Sequence, residues 1–493
     1  MGRMSGMTRP ALIAGALFAL TLATRVPFAS AQLWAWDSVL YARAIEDGFH
    51  VDYATATQRP HPPGYIFYVA TTAVARQFTA DNNSALVLVS MIATALAASA
   101  LFVLARRFAS ERSSVLVALG FALNPLVWLY SEIAYPYALL ALLSIVLAAC
   151  FAQARGRGTS AALVASVAFG AIAGFRQDLL LIFAAAWAWA MWPLSWRGRA
   201  AAAGALVLGC LTWLVPTTVL SDGFLDYIDD VLHQTAFVRE THSVLAQGLP
   251  ALGTNLSTTL YAIAWGLGLF VVPVVALTLI AGYRAIRRPR SSVGQPQLLL
   301  MAWIIPAIVL YVALHIGEWG YVLSILPALY VVAATAIDRA PRLPQRARRS
   351  VFAASLLAPA LVFATSTAPF SAAAIARHDW ELAARVNYVR THYPASTTLL
   401  IAREDFLLVR YYLPEYRTWF HDRNPYSSTL RRKRAPKVNA IVVLTPGLRT
   451  TAAEALRVTC AAGVELVYLE IEPGAVVELH DDDYTIAELP AQR

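Results

Sequence analysis

The chain has 493 residues, of which 58% are hydrophobic and only 14% are charged. With a mean hydropathy of +0.56, this composition excludes an ordinary water-soluble protein and predicts a membrane protein. The net charge of +9 comes largely from arginines in short loops between apolar runs, so it indicates membrane orientation and not a nucleic-acid partner. The three cysteines, Cys150, Cys210 and Cys460, are far apart, which excludes a disulfide framework or a cysteine metal site.

Apolar runs recur from residue 10 to residue 367, most of them long enough to cross a hydrocarbon core of roughly 30 Å. We predict spans at 10–26, 85–105, 115–130, 133–152, 160–175, 179–194, 200–220, 256–281, 298–315, 320–337 and 350–367. The segment Tyr65–Phe78 is too short to cross, so it is predicted to be a juxtamembrane helix. This choice gives about eleven spans and places the loop arginines mainly on the cytoplasmic side. Ala29-Ser30-Ala31 also fits a signal-peptidase site, so removal of the first span is an open alternative.

The composition changes near residue 371, after which the chain becomes polar. Strand-like runs at Thr397–Ala402, Val438–Leu444 and Val464–Ile471 alternate with helix-like runs at Trp380–Thr391 and Thr451–Thr459. We therefore predict a membrane domain at 1–370, with a first outer loop at 31–84, and a small extracytoplasmic α/β domain at 371–493. The acidic run 481–483 is interpreted as a solvated turn and not as a metal site. The basic run 431–434 is interpreted as a contact with anionic headgroups or as a solvated segment, and not as a nucleic-acid site.

Asp37 is the first candidate for a catalytic role. It lies between Trp34 and Trp36, and tryptophans favour the edge of the bilayer. An ionisable group at that position is costly unless it has a partner or a function. Catalysis is therefore our first interpretation, and helix capping or a salt bridge with Arg43 is the alternative.

Arg59 and His61 precede two prolines in the first outer loop. Proline lacks a backbone donor and restricts the preceding residue to extended conformations, so these cationic side chains are presented from a rigid turn. Charged donors of this kind suit a phosphate group. Snorkelling to lipid headgroups is the alternative interpretation.

Further polar residues lie at the predicted outer ends of spans. Glu132 follows Asn124-Pro125 and is a candidate for a second active-site acid, with a simple polar span end as the alternative. Arg176 is a candidate site residue, although Asp178 is close enough in sequence to pair with it.

Another outer turn, between two late spans, has the sequence His-Ile-Gly-Glu-Trp-Gly-Tyr. Its polar residues His315, Glu318 and Tyr321 are candidates for a substrate-binding site, in particular for the molecule that donates a transferred group. A loop whose polar groups satisfy one another is the alternative.

Together these motifs resemble the GT-C superfamily of polytopic glycosyltransferases, in particular glycosyltransferase family 39, with the protein O-mannosyltransferases and the lipid A aminoarabinose transferases. The resemblance covers roughly residues 10–340. It rests on Asp37 with Tyr41-Ala42-Arg43, His61-Pro62-Pro63-Gly64, Asn124-Pro125 before Glu132, and Gly317 to Tyr321 with Pro327 downstream. The soluble domain after the last span also fits the layout of this family.

The resemblance implies roles for individual residues. Asp37 matches the acid that acts as base or orients the acceptor, His61 matches the cation that holds the lipid-linked phosphate, and Tyr41 falls within the same substrate-binding motif. Ser38 stands where many members have Glu, His61 where Lys is common, and Glu132 where Asp is common. These departures leave the donor sugar open, as well as any requirement for a divalent cation; no other cofactor is predicted.

The sequence therefore predicts a glycosyltransferase in the inner membrane of a bacterium. It would move a sugar from a polyprenyl-phosphate donor to a hydroxyl of a protein, a lipid or a cell-wall glycan on the outer face, with inversion at the anomeric carbon. A flippase for a lipid-linked saccharide and a non-catalytic scaffold are the alternatives. Transporters commonly contain inverted repeats with sites at the midplane, whereas the charges here cluster towards one face.

Overall fold

A computed structural model describes residues 5–53, 59–287, 294–340, 344–402, 405–422, 440–443, 456–459, 465–470 and 485–489. Within them, the helices of the membrane part are α1 (Ser5–Arg25), α2 (Trp36–Glu46), α3 (Ile66–Arg76), α4 (Asn82–Ala105), α5 (Glu111–Ala122), α6 (Pro125–Glu132), α7 (Tyr137–Ala154), α8 (Thr159–Ile172), α9 (Asp178–Met191), α10 (Trp196–Val219), α11 (Phe224–His242), α12 (Val244–Gln247), α13 (Leu249–Leu267), α14 (Val271–Arg287), α15 (Gln295–Ala313), α16 (Leu326–Arg339) and α17 (Gln345–Thr365). The C-terminal part contributes α18 (Ala372–His392) and α19 (Phe406–Tyr412). Its strands are β1 (Thr398–Ala402), β2 (Arg417–Asp422), β3 (Ala440–Val443), β4 (Leu456–Thr459), β5 (Glu465–Glu470) and β6 (Thr485–Leu489).

The chain is a multi-pass membrane protein. Among the described residues, six helical segments are long and apolar enough to cross a membrane: Arg9–Phe28, Asn82–Ala105, Tyr137–Ala154, Trp196–Val219, Leu249–Ala281 and Gln295–Ala313. A bent pair, α5 with α6, makes a seventh, and four shorter apolar helices accompany them. Each predicted span thus corresponds to helical structure, while the total of about eleven crossings stays a prediction.

Some predicted spans have interrupted helices; the span at 256–281, for example, is divided between α13 and α14 by the 3₁₀ segment Gly268–Phe270. The span at 115–130 is divided between α5 and α6, which meet at an angle of 54°. Asn124 caps α6 by accepting hydrogen bonds from Leu126 N and Val127 N, and Pro125 begins the new helix because proline suits a first helical turn. The span at 320–337 begins with a 3₁₀ segment, Trp319–Ser324, and becomes α-helical only at Leu326.

The juxtamembrane prediction corresponds to α3. Its 11 residues rise only about 16 Å at 1.5 Å per residue, roughly half of a hydrocarbon core. The first outer loop therefore contains two short helices, α2 and α3, that position its polar residues.

The C-terminal part forms a six-stranded sheet in the order β4-β5-β3-β1-β2-β6. Strand β1 runs parallel to both β2 and β3, and the other neighbours are antiparallel. With α18 and α19, these strands confirm the predicted α/β character, and β1, β3, β5 and α18 overlap the predicted runs. The run 481–483, the run 431–434 and Cys460 lie outside the described residues.

One predicted element is wrong. The run Thr451–Thr459 was expected to be helical, but Leu456–Thr459 is β4, paired antiparallel with β5. Its sequence Leu-Arg-Val-Thr alternates apolar and polar residues, which is the period of a half-buried strand. In such a short segment, pairing with a neighbouring strand determines the secondary structure. Residues 451–455 lie outside the described part.

The C-terminal part packs on the first outer loop. Asp379 of α18 accepts hydrogen bonds from Ser30 Oγ (2.7 Å) and Ala31 N (2.6 Å). Tyr412 Oη accepts one from Leu33 N at 2.9 Å. The C-terminal part thus lies on the same side of the helical bundle as the segment that leads into α2.

Candidate active site

Asp37 lies in the first turn of α2. The helix begins after Ala35, whose backbone is extended and whose N–H donates to Ser38 Oγ at 3.3 Å. Ser38 Oγ in turn donates to Ala134 O at 2.7 Å, which ties this turn to the segment after α6. A carboxylate in the first turn is favourable towards the helix dipole, and the Asp37 side chain is 30% exposed, so a substrate can reach it.

The partner of Asp37 is His61. Nε2 of His61 lies 3.5 Å from Oδ1 of Asp37, while its Nδ1 lies 2.7 Å from Pro62 O. Because a carbonyl only accepts, Nδ1 carries a proton, and Nε2 meets the carboxylate favourably only when it is protonated as well. The predicted alternative, a salt bridge from Asp37 to Arg43, is wrong: Arg43 pairs with Glu46.

The charges of this pair stabilise each other. Burial opposes ionisation of both groups, but the hydrogen bond and the charge of Asp37 outweigh it and raise the pKa of His61. Burial likewise opposes ionisation of Asp37, yet His61 and, to a lesser degree, Arg176 lower the pKa of Asp37 below its usual value. Asp37 is therefore a carboxylate held beside an imidazolium.

The turn after His61 depends on glycine. Gly64 N donates to His61 O at 3.0 Å, and Gly64 has a φ of +94°. A Cβ added at Gly64 would lie 2.3 Å from Val51 Cγ2. Gly64 therefore satisfies both a left-handed backbone and a close approach, and so fixes the position of His61.

Arg176 lies in a cage of tyrosines. Its guanidinium carbon is 4.2 Å from the ring centroid of Tyr321, 5.0 Å from that of Tyr137 and 5.6 Å from that of Tyr65. Its Nε donates to Asp178 Oδ2 at 3.0 Å, and the residue is 4% exposed. Burial alone would lower the pKa of Arg176, but Asp178 and the phenol groups raise it well above its usual value, so the cage holds a permanent cation.

Tyr65, Tyr137 and Asp178 belong to this cluster, although the sequence did not indicate them as site residues. Tyr41 packs against Tyr65 and Tyr68, with ring centroids 6.1 and 5.0 Å apart, and forms the buried wall behind Asp37. A signal was present, because tyrosines cluster at the outer ends of predicted spans. That pattern alone is equally typical of an aromatic belt.

Among the described residues, the buried polar atoms of this region without a hydrogen-bond partner include Asp178 Oδ1, Tyr68 Oη, His315 Nδ1 and both side-chain amide atoms of Gln177. Buried polar atoms in native proteins are rarely left unsatisfied. These atoms are therefore available to a polar ligand.

The predicted turn 315–321 meets the cage. Tyr130 Oη donates to Glu318 Oε2 at 3.2 Å, and burial, together with the charge of Asp37, raises the pKa of Glu318 to about 7. His315 packs against Tyr321 and His242, with ring centroids 5.8 and 4.5 Å apart. Burial, then the proximity of His242 and Arg176, lowers the pKa of His315 to about 4, so its imidazole is neutral near pH 7.

Glu132 is placed differently. Its side chain is fully buried, with Oε1 3.8 Å from Arg25 Nε and 3.1 Å from Trp128 Nε1. Arg25 also donates to Ser131 Oγ at 2.8 Å and stacks on Trp128. Among the described residues, these contacts of Glu132 lead to α1 and not to Asp37, so the structure does not bring the second predicted acid into the cluster.

Arg59 is also outside the cluster. It is exposed and lines a cleft with Arg43 and His50, beside the C-terminal half of α2. The phosphate contact predicted for Arg59 is therefore not made from the same pocket as His61.

No group of three or more His, Cys, Asp or Glu side chains arranged to hold a metal ion occurs within the part of the chain that the structure describes. The arrangement around Asp37 has three carboxyl groups, Asp37, Asp178 and Glu318, near two cations, with neutral imidazole and phenol groups around them. It suits an anionic ligand carrying hydroxyl groups.

Comparison with known proteins identifies the fold. No family model matches the chain, and no curated protein matches it in sequence. Two similar solved structures are those of ArnT from Cupriavidus metallidurans, bound to undecaprenyl phosphate and in the apo state. Each is 14% identical, with TM-scores of 0.55 and 0.57, covering 95% and 94% of this chain and 98% of ArnT. The chain therefore has the fold of ArnT, in agreement with the fold that its motifs predicted.

Proposed function

We propose that this protein transfers a sugar from a polyprenyl-phosphate donor to an acceptor hydroxyl at the outer face of the membrane. The observation that carries the proposal is the ion pair of Asp37 and His61 beside the caged Arg176. It combines a carboxylate that can accept a proton with two cations that suit a phosphate. The ArnT structure with undecaprenyl phosphate supports a lipid phosphate as the ligand of this fold.

In the proposed reaction, Asp37 accepts the proton of the acceptor hydroxyl as its oxygen forms a bond to the anomeric carbon. The bond between that carbon and the phosphate oxygen breaks, and the electron pair leaves with the polyprenyl phosphate. His61 and Arg176 stabilise the negative charge that develops on the leaving group. The tyrosines around Arg176 exclude water, which strengthens this interaction.

We further propose that the displacement is single and inverts the anomeric carbon, since the mechanism assigns no carboxylate as nucleophile. Tyr41, His315, Glu318 and Tyr321 are proposed to surround the donor sugar and its phosphate. For Glu132 we now favour a structural role, because its contacts are with Arg25 and Trp128.

We also propose that the acceptor is a protein, a lipid or a cell-wall glycan. A membrane domain is proposed to end at residue 370, and the C-terminal domain that follows it is proposed to be extracytoplasmic. The contacts of Asp379 and Tyr412 with the segment before α2 support a domain on the same side as Asp37. The arginine-rich loops support a location of that side outside the cytoplasm, and we propose the bacterial inner membrane as the membrane.

The test is a radiolabel transfer assay on membranes containing the wild type, Asp37→Asn or Asp229→Asn, supplied with a panel of polyprenyl-phosphate sugars, with and without a chelator. Asp229 is a matched control because it is an exposed aspartate on α11, paired with His233. We expect Asp37→Asn to lower transfer by at least about 10²-fold, with donor binding retained and Asp229→Asn unchanged.

Other outcomes favour the alternatives. Equal transfer by Asp37→Asn and the wild type would reject Asp37 as the base. Translocation of the lipid-linked sugar across vesicles without transfer would favour a flippase, and inert but correctly folded protein would favour a scaffold.

A further inference from the structure

A cleft that contains two arginines lies near the site formed by Asp37, His61 and Arg176. A cleft of about 450 Å³ is bounded by Arg43, Ala44, Asp47 and Gly48 at the end of α2, and by residues 49–50 and 59–60. It is beside the ion pair, because Arg59 precedes His61 by two positions in the chain. Arg43 follows Asp37 by six positions on α2, which puts the two side chains about 120° apart around the helix axis at 3.6 residues per turn.

Two arginines, Arg43 and Arg59, line the cleft, and Asp47 is the acid among its lining residues. The side chains of Arg43 and His50 are only 15% and 17% exposed, and Arg59 is open to solvent. The guanidinium group of Arg43 packs on the ring of Tyr411, with its central carbon 5.0 Å from the ring centroid. Arg43 is thus held in place at the cleft.

The acids at the cleft are exposed. Asp47, 68% exposed, lies 4.0 Å from Arg43, and Asp222, 74% exposed, lies 3.3 Å from His50. Glu46 approaches Arg43 at 3.2 Å and is 38% exposed. Ion pairs with such exposed partners are weak, so a ligand anion can replace Asp47 beside Arg43 at little cost.

The segment that carries Arg59 is held in position. Asp52 N donates to Pro60 O at 3.1 Å, and Val51 N donates to Ser221 Oγ at 3.0 Å. Two residues of chain span at most about 7 Å, so the backbone of Arg59 lies close to that of His61.

We infer that this cleft binds a phosphate or carboxylate group of the acceptor. The inference rests on the proposed function, in which His61 and Arg176 take the phosphate of the donor. Two anions in one pocket repel each other, and a separate set of cations allows both substrates to be bound together. The acceptor is thereby an anionic molecule whose reactive hydroxyl lies a few ångströms from its charge.

The first experiment detects the anion without using activity. Full-length protein in detergent is treated with phenylglyoxal, which modifies arginines, with and without inorganic phosphate at constant ionic strength, and modified positions are mapped by mass spectrometry. We expect phosphate to protect Arg59 at least about 5-fold, and to leave Arg239 unprotected. Arg239 is a matched control because its side chain is 61% exposed on α11. Equal modification of Arg59 in both conditions would overturn the inference.

The second experiment assigns the anion to the acceptor. Acceptor extracts are separated by anion exchange, and transfer is measured over a dilution series for wild type, Arg59→Gln and Arg239→Gln. We expect wild type to label the retained, anionic fraction, and Arg59→Gln to raise the apparent KM for that fraction about 10-fold or more with the donor KM unchanged.

The outcomes separate the two proposals. Phosphate protection of Arg59 without any change in acceptor KM would overturn the acceptor assignment and leave a headgroup site. Labelling of a neutral acceptor would overturn it as well. If wild type transfers no sugar, the proposed function fails, while the phenylglyoxal result still decides whether the cleft binds an anion.

Discussion

Nε2 of His61 lies 3.5 Å from Oδ1 of Asp37, and Nδ1 of the same ring lies 2.7 Å from Pro62 O. The turn at Gly64 therefore presents the imidazole of His61 to the carboxylate of Asp37. This single relationship joins the two halves of the first outer loop, α2 and the turn before α3. It also makes the proposed reaction depend on pH.

We predict that kcat/KM for sugar transfer falls on the alkaline side. The pKa of His61 is raised above 6.5, so the imidazolium is complete below that value and is lost as pH rises through the raised pKa. The pKa of Asp37 is below 3.8, so its carboxylate is lost only under strong acid. A profile of kcat/KM from pH 5 to 10 measures this limb.

His61→Lys is the informative variant for that limb. A lysine has an ordinary pKa of about 10.4, so we expect the alkaline limb to move upwards in pH. His61→Gln should abolish the limb and lower kcat/KM by about 10- to 100-fold, because one charged donor to the leaving phosphate is lost. An alkaline limb that is identical in all three proteins would contradict the assignment to His61.

Arg176→Lys is predicted to lower kcat/KM about 10-fold or more although it conserves charge. The guanidinium stacks against Tyr321 and donates through Nε to Asp178, and an ammonium group reproduces neither contact. Transfer assays and thermal unfolding in detergent would measure the two effects separately.

The control for this prediction is the double variant Arg176→Gln with Asp178→Asn. Removing both charges avoids leaving one buried and unpaired, so stability should exceed that of Arg176→Gln alone, whereas transfer should not recover. Recovery of transfer with stability would show that Arg176 acts only in the fold.

Glu132→Ala is predicted to destabilise the protein without changing its pH profile. The variant leaves Arg25 buried without its carboxylate partner, and breaking a buried pair costs about 3–5 kcal/mol. Thermal unfolding would report the loss. The double variant Arg25→Met with Glu132→Met should regain stability, because it removes both buried charges.

Activity of the Glu132 variants is measured per folded molecule. We expect the transfer activity of these variants to depend on pH and on acceptor concentration as it does in the wild type. A specific loss of kcat in the stable double variant would restore Glu132 as a second active-site acid.

Asp379→Ala is predicted to loosen the segment before α2 and to lower transfer. Asp379 accepts hydrogen bonds from Ser30 Oγ and Ala31 N, and each lost bond costs about 1 kcal/mol. Hydrogen exchange at residues 30–38 should become faster. Asp379→Asn, which retains one acceptor oxygen, should have an intermediate effect, and unchanged exchange in Asp379→Ala would contradict this coupling.

The sequence by itself determined the class of protein, because the length of apolar runs follows directly from the thickness of a bilayer. It also indicated Asp37 and His61 as candidates, since their flanking tryptophans and prolines constrain them locally, and the structure shows that the two side chains meet. It indicated the short helix at 65–78, now seen as α3, because that segment is too short to cross.

Tertiary structure decided which side chains meet. Arg176 is enclosed by tyrosines from three separate segments of the chain, Glu132 turns to Arg25 on α1, and Arg59 lines its own cleft. Periodicity and motif spacing report local structure, whereas such contacts depend on how helices remote in sequence pack. The strand β4 was mispredicted for the same reason, because Leu456–Thr459 is a strand through its pairing with β5, and local sequence patterns do not report that pairing.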